Sequence, residues 1–343
     1  MLVSTCELLR CPACKSGRLN PEGVSGDFIE EGSLKCARCG KNYDVRNGIP
    51  VFLNERLSTS SEDANFANLD EVSQQKIKQL EWHDTAHIEE DFKNTKYEHG
   101  KYPYRSHTLF AYLLHYQLKE VEGLLTDGRY QRIANLCSGH GFELEYLSQF
   151  GQNILALDIS WNSLRRAREN GRALGMNIEA VCCDAENLPL RDSSFDFVLT
   201  HHSFHHLPQP LLGLEEMARI SSYRMAFFEP AKGIMRTFVK KLGLKPETEE
   251  SGNEVYEFGR EEIEKFCAQR NLILRHFHKC LITSPASEPA WFRQVDASRI
   301  TPIVRGVISA ANQGFGNLIG TKCSVVLEKA GQAATNSLPI QLT

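Results

Sequence analysis

The sequence predicts an α/β protein, a doubly wound and mostly parallel sheet preceded by a small four-cysteine ribbon. Three observations carry this. Two Cys-x-x-Cys pairs, Cys11/Cys14 and Cys36/Cys39, stand near the start with 21 residues between them. A glycine turn, Asn135-Leu-Cys-Ser-Gly-His-Gly-Phe-Glu143, follows a short apolar strand (132–136) and precedes the start of an amphipathic helix. Strand-like segments then arrive in order at 154–158, 180–184 and 195–200, the first two ending in the carboxylates Asp158 and Asp184. Ligands of an open parallel sheet bind outside the carboxyl ends of its strands, so these strand ends supply the site candidates.

The ribbon comes first. Each cysteine pair sits on a tight turn that presents two thiolates, and four thiolates suit one tetrahedral zinc ion at ~2.3 Å. The polar, glycine-containing segment 17–34 suits a hairpin, while Tyr43 and the run 49–53 supply apolar contacts. A unit of this size (1–53) buries too little surface to be stable alone, so the metal is expected to contribute much of its folding free energy. Four thiolates leave no open coordination position, which makes the ion structural rather than catalytic.

The next segment, 54–70, is polar, Ser-rich and aperiodic and reads as a linker. A helical lid is expected over 71–128. It comprises a charged helix at 72–92, a cluster of Tyr97, His99, Tyr102, Tyr104 and His107, and one helix running from Leu109 to the Asp127-Gly128 stop. The apolar stripe of that last helix should pack on the sheet.

The main domain is placed at 129–330. After the fourth strand come a helix (211–220), a fifth strand (225–230), a helix (233–244), an acidic loop (245–252), a capped helix (258–266) and strands at 272–279 and 322–328. The stretch 284–320, with Trp291, Phe292, Arg293, Arg299 and Arg305, exceeds what such a sheet needs and is expected to cap the substrate side. The tail 331–343 reads as disordered.

Composition narrows the functional classes. The 343 residues carry a net charge of −4, so no bulk basicity points to nucleic acid. No run approaches the ~18 apolar residues of a membrane span. The start lacks the regions of a signal peptide, and a cytoplasmic protein is expected. Eleven cysteines, an odd number, argue against a disulfide framework. Cys182, Cys183, Cys267, Cys280 and Cys323 read as small buried apolar residues, and Cys6 as a bystander.

The run Asp184-Ala-Glu-Asn-Leu-Pro-Leu-Arg-Asp-Ser-Ser-Phe-Asp-Phe-Val-Leu199, followed by His205-His206-Leu207, resembles the class I S-adenosylmethionine-dependent methyltransferases, specifically the type 11 group. The resemblance spans about 130–330 and implies a Rossmann-like methyltransferase sheet with S-adenosyl-L-methionine as cofactor. Departures are visible. Asn135 stands where the family carries an acid, Cys137-Ser138-Gly139 stands for Gly-Cys-Gly, and the Gly-Gly turn before the fifth strand is missing from 221–225. The pattern Leu-x-Cys-Pro-x-Cys…Leu-x-Cys-x-x-Cys-Gly…Tyr…Gly-Ile-Pro-Val-Phe resembles the Trm112-like zinc ribbons. Those bind and activate methyltransferases or are fused ahead of them. The domain order is also similar to that of bacterial ribosomal-RNA guanine methyltransferases.

Within that frame Asn135, Cys137, Ser138, Gly139 and Gly141 are expected around the amino-acid end of the cofactor. Asp158, followed by Ile159, is expected at its ribose hydroxyls, and Asp184 with the Ala185 backbone at its adenine. A dinucleotide fits less well. Glu143 and Glu145 stand where a third glycine would, and they repel a pyrophosphate. Methyl transfer needs alignment and exclusion of water, and a base only if the acceptor loses a proton. His201, His202, His205, His206 and Glu229 are the base candidates, with His201 also a cofactor contact.

A small or medium-sized acceptor in a covered pocket is the favoured reading. An RNA base is the alternative, suggested by the ribbon and by six basic residues between Arg270 and Arg305 that face only Glu288 and Asp296. A non-catalytic scaffold, its ribbon docking a protein partner, is the third.

Overall fold

The computed structural model describes residues 1–58, 60–85, 103–126, 130–234, 237, 254–281 and 290–331. The first unit is a four-stranded antiparallel sheet in the order β1 (Leu19–Glu22), β2 (Gly32–Cys36), β3 (Asn42–Arg46), β4 (Ile49–Pro50). Leu34, Cys36, Tyr43 and Val45 alternate inward along β2 and β3, as a half-buried sheet requires. The β3–β4 turn is Asn47-Gly48, both residues at positive φ (47° and 66°), a conformation whose twist matches the flanking strands.

The larger sheet has seven strands in the order β10-β11-β9-β8-β5-β6-β7. The parallel strands are β5 (Ile133–Leu136), β6 (Ile154–Asp158), β7 (Glu179–Cys182), β8 (Phe195–His201) and β9 (Ser221–Pro230). The strands β10 (Leu272–Cys280) and β11 (Lys322–Lys329) add antiparallel. β5 and β6 are buried at every position, the pattern of strands covered on both faces. Strand order reverses between β5 and β8, and that switch point fixes the crevice described below. At the far ends of β9 and β11, Arg224 and Glu328 form a buried ion pair, with Arg224 also donating to Tyr130 Oη and to the Leu124 carbonyl.

The ribbon is continuous with this sheet. Val51 bridges in parallel to Cys182 at the end of the edge strand β7, and Phe52 N–H donates to the Cys182 carbonyl (2.8 Å). Leu9 bridges to Leu190, and Leu2 N–H and Thr5 Oγ1 both donate to Glu179. Leu9, Ile29, Leu34 and Phe52 share one apolar cluster with Leu155, Val181 and Leu188. An exposed sheet edge invites unwanted pairing, and the ribbon covers this one. The ribbon thus also draws on the core of the large sheet. Nor is 54–70 featureless. It holds two short 3-10 turns, and Ser60 and Ser61 donate to Glu81 of the helix that follows.

That helix, α1 (Glu71–Thr85), crosses the carboxyl ends of β6 and β7, where its Lys76 and Asp84 reach Asp184 and Ser160. The single helix expected from Leu109 onward is two. α2 (Leu109–Leu114) is capped by Thr108 Oγ1 and ends at His115; α3 (Tyr116–Leu125) follows. Only α3 lies on the sheet, against β11; α2 packs on α8 (Ala290–Ala297) and α9 (Thr301–Ile319). Phe110, Leu113, Leu114 and Phe292 form that separate core. The remaining helices are α4 (Leu144–Leu147), α5 (Trp161–Ala173, capped by Ser160), α6 (Pro210–Ile220) and α7 (Arg260–Arg270).

The Tyr97, His99 and Tyr102 part of the aromatic cluster, the 238–253 segment and the tail from 332 lie outside the described residues. Tyr104 is buried, its hydroxyl donating to Glu122 (2.9 Å), so it is packing rather than pocket. Among the described residues no helix is long and apolar enough to cross a membrane.

Candidate functional site

Two constellations stand out, and the simpler is in the ribbon. Cys11, Cys14, Cys36 and Cys39 bring their sulfurs within 4.8 Å of one another, with Cys11–Cys39 and Cys14–Cys36 each at 3.7 Å. The backbone N–H groups of Arg38 and Cys39 point at Cys36 Sγ, and the Tyr43 hydroxyl lies 3.1 Å from Cys11 Sγ. The Ser16 N–H holds the Cys14 thiol well below its ordinary range. Gly17 is required beside them, since a Cβ there would overlap Cys36 Sγ. This donor set fits a tetrahedral metal ion of the zinc class, held by thiolates and nothing else.

The second lies at the switch point. Between β5 and α4 the chain turns through Cys137 (φ 50°), Gly139 (φ 49°) and Gly141 (φ 88°). A Cβ on Gly139 would meet nothing within 4 Å, so the turn carries open space over its backbone. A Cβ on Gly141 would stand 2.5 Å from Leu144 Cδ1, so that glycine serves the helix packing.

Asp158, at the end of β6, accepts from Gly139 N–H (2.9 Å) and Ser160 N–H (2.8 Å). Burial pushes its carboxyl up to about 6, against the pull of those N–H groups and with Asp84 adding to the rise. Ile159 is half-buried, and its carbonyl faces Cys182 Sγ (3.3 Å). Ser138 is buried with an unpartnered hydroxyl. Open space above a glycine backbone, a strand-end carboxylate and an orphaned hydroxyl are what a nucleoside-bearing ligand would use.

Three of the expected residues are engaged within the chain. Asn135 does not line the crevice; it is fully buried and its Nδ2 donates to Glu143 Oε2 (3.3 Å). Asp184 is not waiting for an adenine. Lys76 of α1 stands 2.6 Å from it and 2.6 Å from Glu186, clamping the two carboxylates beside Ala185. Glu229 is no base, because it is fully buried and accepts from Ser203 N–H, Phe204 N–H and His205 Nδ1. Those bonds hold its carboxyl below the usual range even though burial pushes the other way, with the His205 charge the largest of the opposing causes.

The histidines separate by environment. His205 is spent on Glu229, and His206 stacks on His205 and faces His83 of α1. His202 sits at positive φ with Nε2 3.3 Å from Lys322 Nζ. His201 Nδ1 lies 3.1 Å from Glu143 Oε1, and its ring stacks on Phe142 (5.7 Å, 8°) and meets Phe228 edge-on. Phe142, Lys76 and Lys322 had no role in what the sequence predicts, and Glu143 entered only as a carboxylate that disfavours a pyrophosphate. Only Glu143, two residues past Gly141, had a local signal.

A methyltransferase-domain family model matches residues 135–222, and a Trm112p-like model matches 4–48. The chain joins a Trm112p-like domain to a methyltransferase domain. The methyltransferase match covers the glycine turn, Asp158, Asp184 and the histidine run. The Trm112p-like match covers all four ribbon cysteines.

A demethylmenaquinone methyltransferase from Corynebacterium urealyticum is 30% identical over 90 residues, 26% of this chain and 36% of the relative. An uncharacterised chloroplastic methyltransferase of Arabidopsis thaliana is 22% identical over 223 residues, 62% of this chain and 58% of the relative. The chain therefore spans well under two thirds of the length of these relatives. Among solved structures, the YcgJ protein of Bacillus subtilis aligns with a TM-score of 0.46 at 16% identity, covering 63% of this chain and 98% of that one. The complex of the Haloferax volcanii Trm112 activator with a methyltransferase aligns at 0.44 and 16%, covering 64% and 91%.

Proposed function

We propose that the protein transfers a methyl group from S-adenosyl-L-methionine to a small or medium-sized acceptor, with a structural zinc ion in its ribbon. The observation that carries the cofactor is the open turn over Gly139, hydrogen-bonded from its own N–H to the strand-end Asp158. Cys137 through Gly141 would hold the amino-acid end, Asp158 and Ile159 the ribose, and Ala185 the adenine, with Lys76 making α1 part of the adenine wall. The cofactor supplies a methyl group already activated for displacement. The chain orients the acceptor, excludes water and, where the acceptor carries a proton to be lost, removes it.

His201 is the residue for that last task. With Nδ1–H directed at Glu143, its Nε2 keeps the lone pair that accepts a proton, and Glu143 stabilises the imidazolium that results. Asn135 fixes Glu143 in turn, which gives the departure from the family's acidic residue a purpose. An apolar wall supports the small acceptor. Phe142 stacks on His201 and reaches the α2/α8/α9 core. The basic residues that suggested RNA are partly spent. Arg270 pairs with Glu215, Arg275 with Glu328, and Arg305 donates to the Thr108 carbonyl.

The units proposed from the sequence, a ribbon at 1–53, a lid at 71–128 and a catalytic domain at 129–330, would thus act together. The ribbon docks in cis on the β7 edge.

Calorimetry with S-adenosylhomocysteine tests the reading. Binding at micromolar concentration that Asp158→Ala weakens at least tenfold is expected, and NADH binding in its place refutes it. Filter binding with total cellular RNA tests the acceptor class: micromolar retention that falls steeply with salt would move the assignment to RNA.

A further inference from the structure

We propose that the protein binds a second divalent metal ion of the zinc class, distinct from the ribbon's, at His276, His278, Cys280 and Glu120. Three of these donors come from one strand. β10 shifts register between Leu274 and His276, an irregularity of the kind that re-aims side chains. From there His276, His278 and Cys280 fall at every second position and share one face of the strand. Glu120 of α3 enters from the opposite side. Its Oε1 lies 2.5 Å from His278 Nδ1, and its Oε2 lies 3.5 Å from Cys280 Sγ and 3.9 Å from His276 Nε2. The donor atoms of Glu120, His278 and Cys280 all stand within 4.8 Å of one another.

One carboxylate serves three polar groups here, for Cys280 Sγ also donates to Glu120 Oε2 (3.5 Å). His276 Nε2 and His278 Nδ1 are both buried, and both face the Glu120 carboxylate, at 3.9 Å and 2.5 Å. Cys280 is fully buried and the side chains of His278 and Glu120 are only 12% and 13% exposed. A Glu120–His278 ion pair accounts for one close contact and leaves His276 Nε2 at 3.9 Å from the same carboxylate, too far for a hydrogen bond. One cation among the four groups satisfies two imidazole nitrogens, a carboxylate and a thiolate together.

The surroundings hold the donors in place. Gly316 lets α9 lie against β10 here, since a Cβ would overlap the Lys279 carbonyl (2.0 Å) and crowd the His278 ring (3.2 Å). Ser324 Oγ stands 3.9 Å from Cys280 Sγ.

The donor types select the ion. Imidazole with thiolate suits zinc, cobalt or nickel and disfavours magnesium or calcium, which take oxygen. Binding forms coordinate bonds to neutral imidazole nitrogens, to the carboxylate and to the thiolate, whose proton passes to solvent, and no electron is transferred. The ion ties α3 to β10 beneath α9, bracing the helices next to the crevice. Cys280, read from the sequence as a small apolar residue, is thereby a ligand.

The experiment is elemental analysis of the untagged full chain after zinc loading and removal of excess ion. The expected contents are two zinc ions per chain in the unaltered protein, one in His276→Ala/His278→Ala, and one in Cys36→Ser. Cobalt substitution supplies the second readout. A mixed nitrogen–sulfur–oxygen spectrum should vanish in the histidine variant while the four-thiolate spectrum persists, and Cys280→Ala, which removes only the sulfur, should repeat this. One ion in the unaltered chain, retained in the histidine variant and lost in Cys36→Ser, overturns the second site and upholds the ribbon's. One ion lost in the histidine variant and retained in Cys36→Ser upholds the second site and overturns the ribbon's.

Discussion

Asp158 should couple stability, ligand affinity and pH in opposite directions. Its carboxyl is raised from 3.8 to about 6, chiefly by burial. Between about pH 4 and pH 6 the folded chain binds more protons than the unfolded chain, so its stability falls as pH rises through that window. A shift of about two units corresponds to roughly 3 kcal/mol, fully expressed above about pH 6. Removing the charge with Asp158→Asn should therefore raise the urea midpoint at pH 8 and leave it nearly unchanged at pH 3.5.

Affinity runs the other way. If the ionised carboxylate receives the ribose hydroxyls, about a tenth of the chains are competent at pH 5 and about nine tenths at pH 7, which is about 1.4 kcal/mol in binding. S-adenosylhomocysteine titrated calorimetrically at both values should bind about tenfold tighter at pH 7. Asp158→Asn is the control and should flatten the slope. An affinity that is level across this range, or a slope unchanged in the variant, refutes the reasoning.

Gly141→Ala must hold φ near 88° and push a Cβ against Leu144, and a stability loss of roughly 1–3 kcal/mol by denaturant unfolding is expected. Arg224→Met leaves Glu328 with Arg275 as its remaining partner, and thermal unfolding should show a loss of about 1–3 kcal/mol with ligand affinity unchanged. For an acceptor that loses a proton, His201→Gln should lower kcat roughly 10²–10⁴-fold. Glu143→Gln should also lower kcat, because the imidazolium loses the carboxylate that holds its Nδ1. A chelator strong enough to strip the ribbon should lower its thermal stability while calorimetry still detects the large sheet, whose other interactions need no metal.

The glycine turn, the strand-end carboxylates and the two cysteine pairs were legible because each is a local pattern. A tight turn needs glycine at particular φ, a buried parallel strand needs an unbroken apolar run, and a knuckle needs two thiols three residues apart. These fixed the α/β class, the order of the strands and the four-cysteine cluster. They also suggested one helix from Leu109, since the apolar spacing hardly changes across His115. Only tertiary packing divides it, giving α3 to the sheet and α2 to α8 and α9.

Packing likewise gives the five candidate residues different environments. Glu229 and His205 neutralise each other in the core, while Glu143 turns toward His201 from a loop whose own sequence names no partner. Lys76 reaches Asp184 across 108 residues, and Phe52 closes on Cys182 across a similar gap. A sequence determines which residues can fold locally and which chemistry they carry. Which distant side chains meet is decided by burial of the whole chain, because each such contact depends on every element that packs around it.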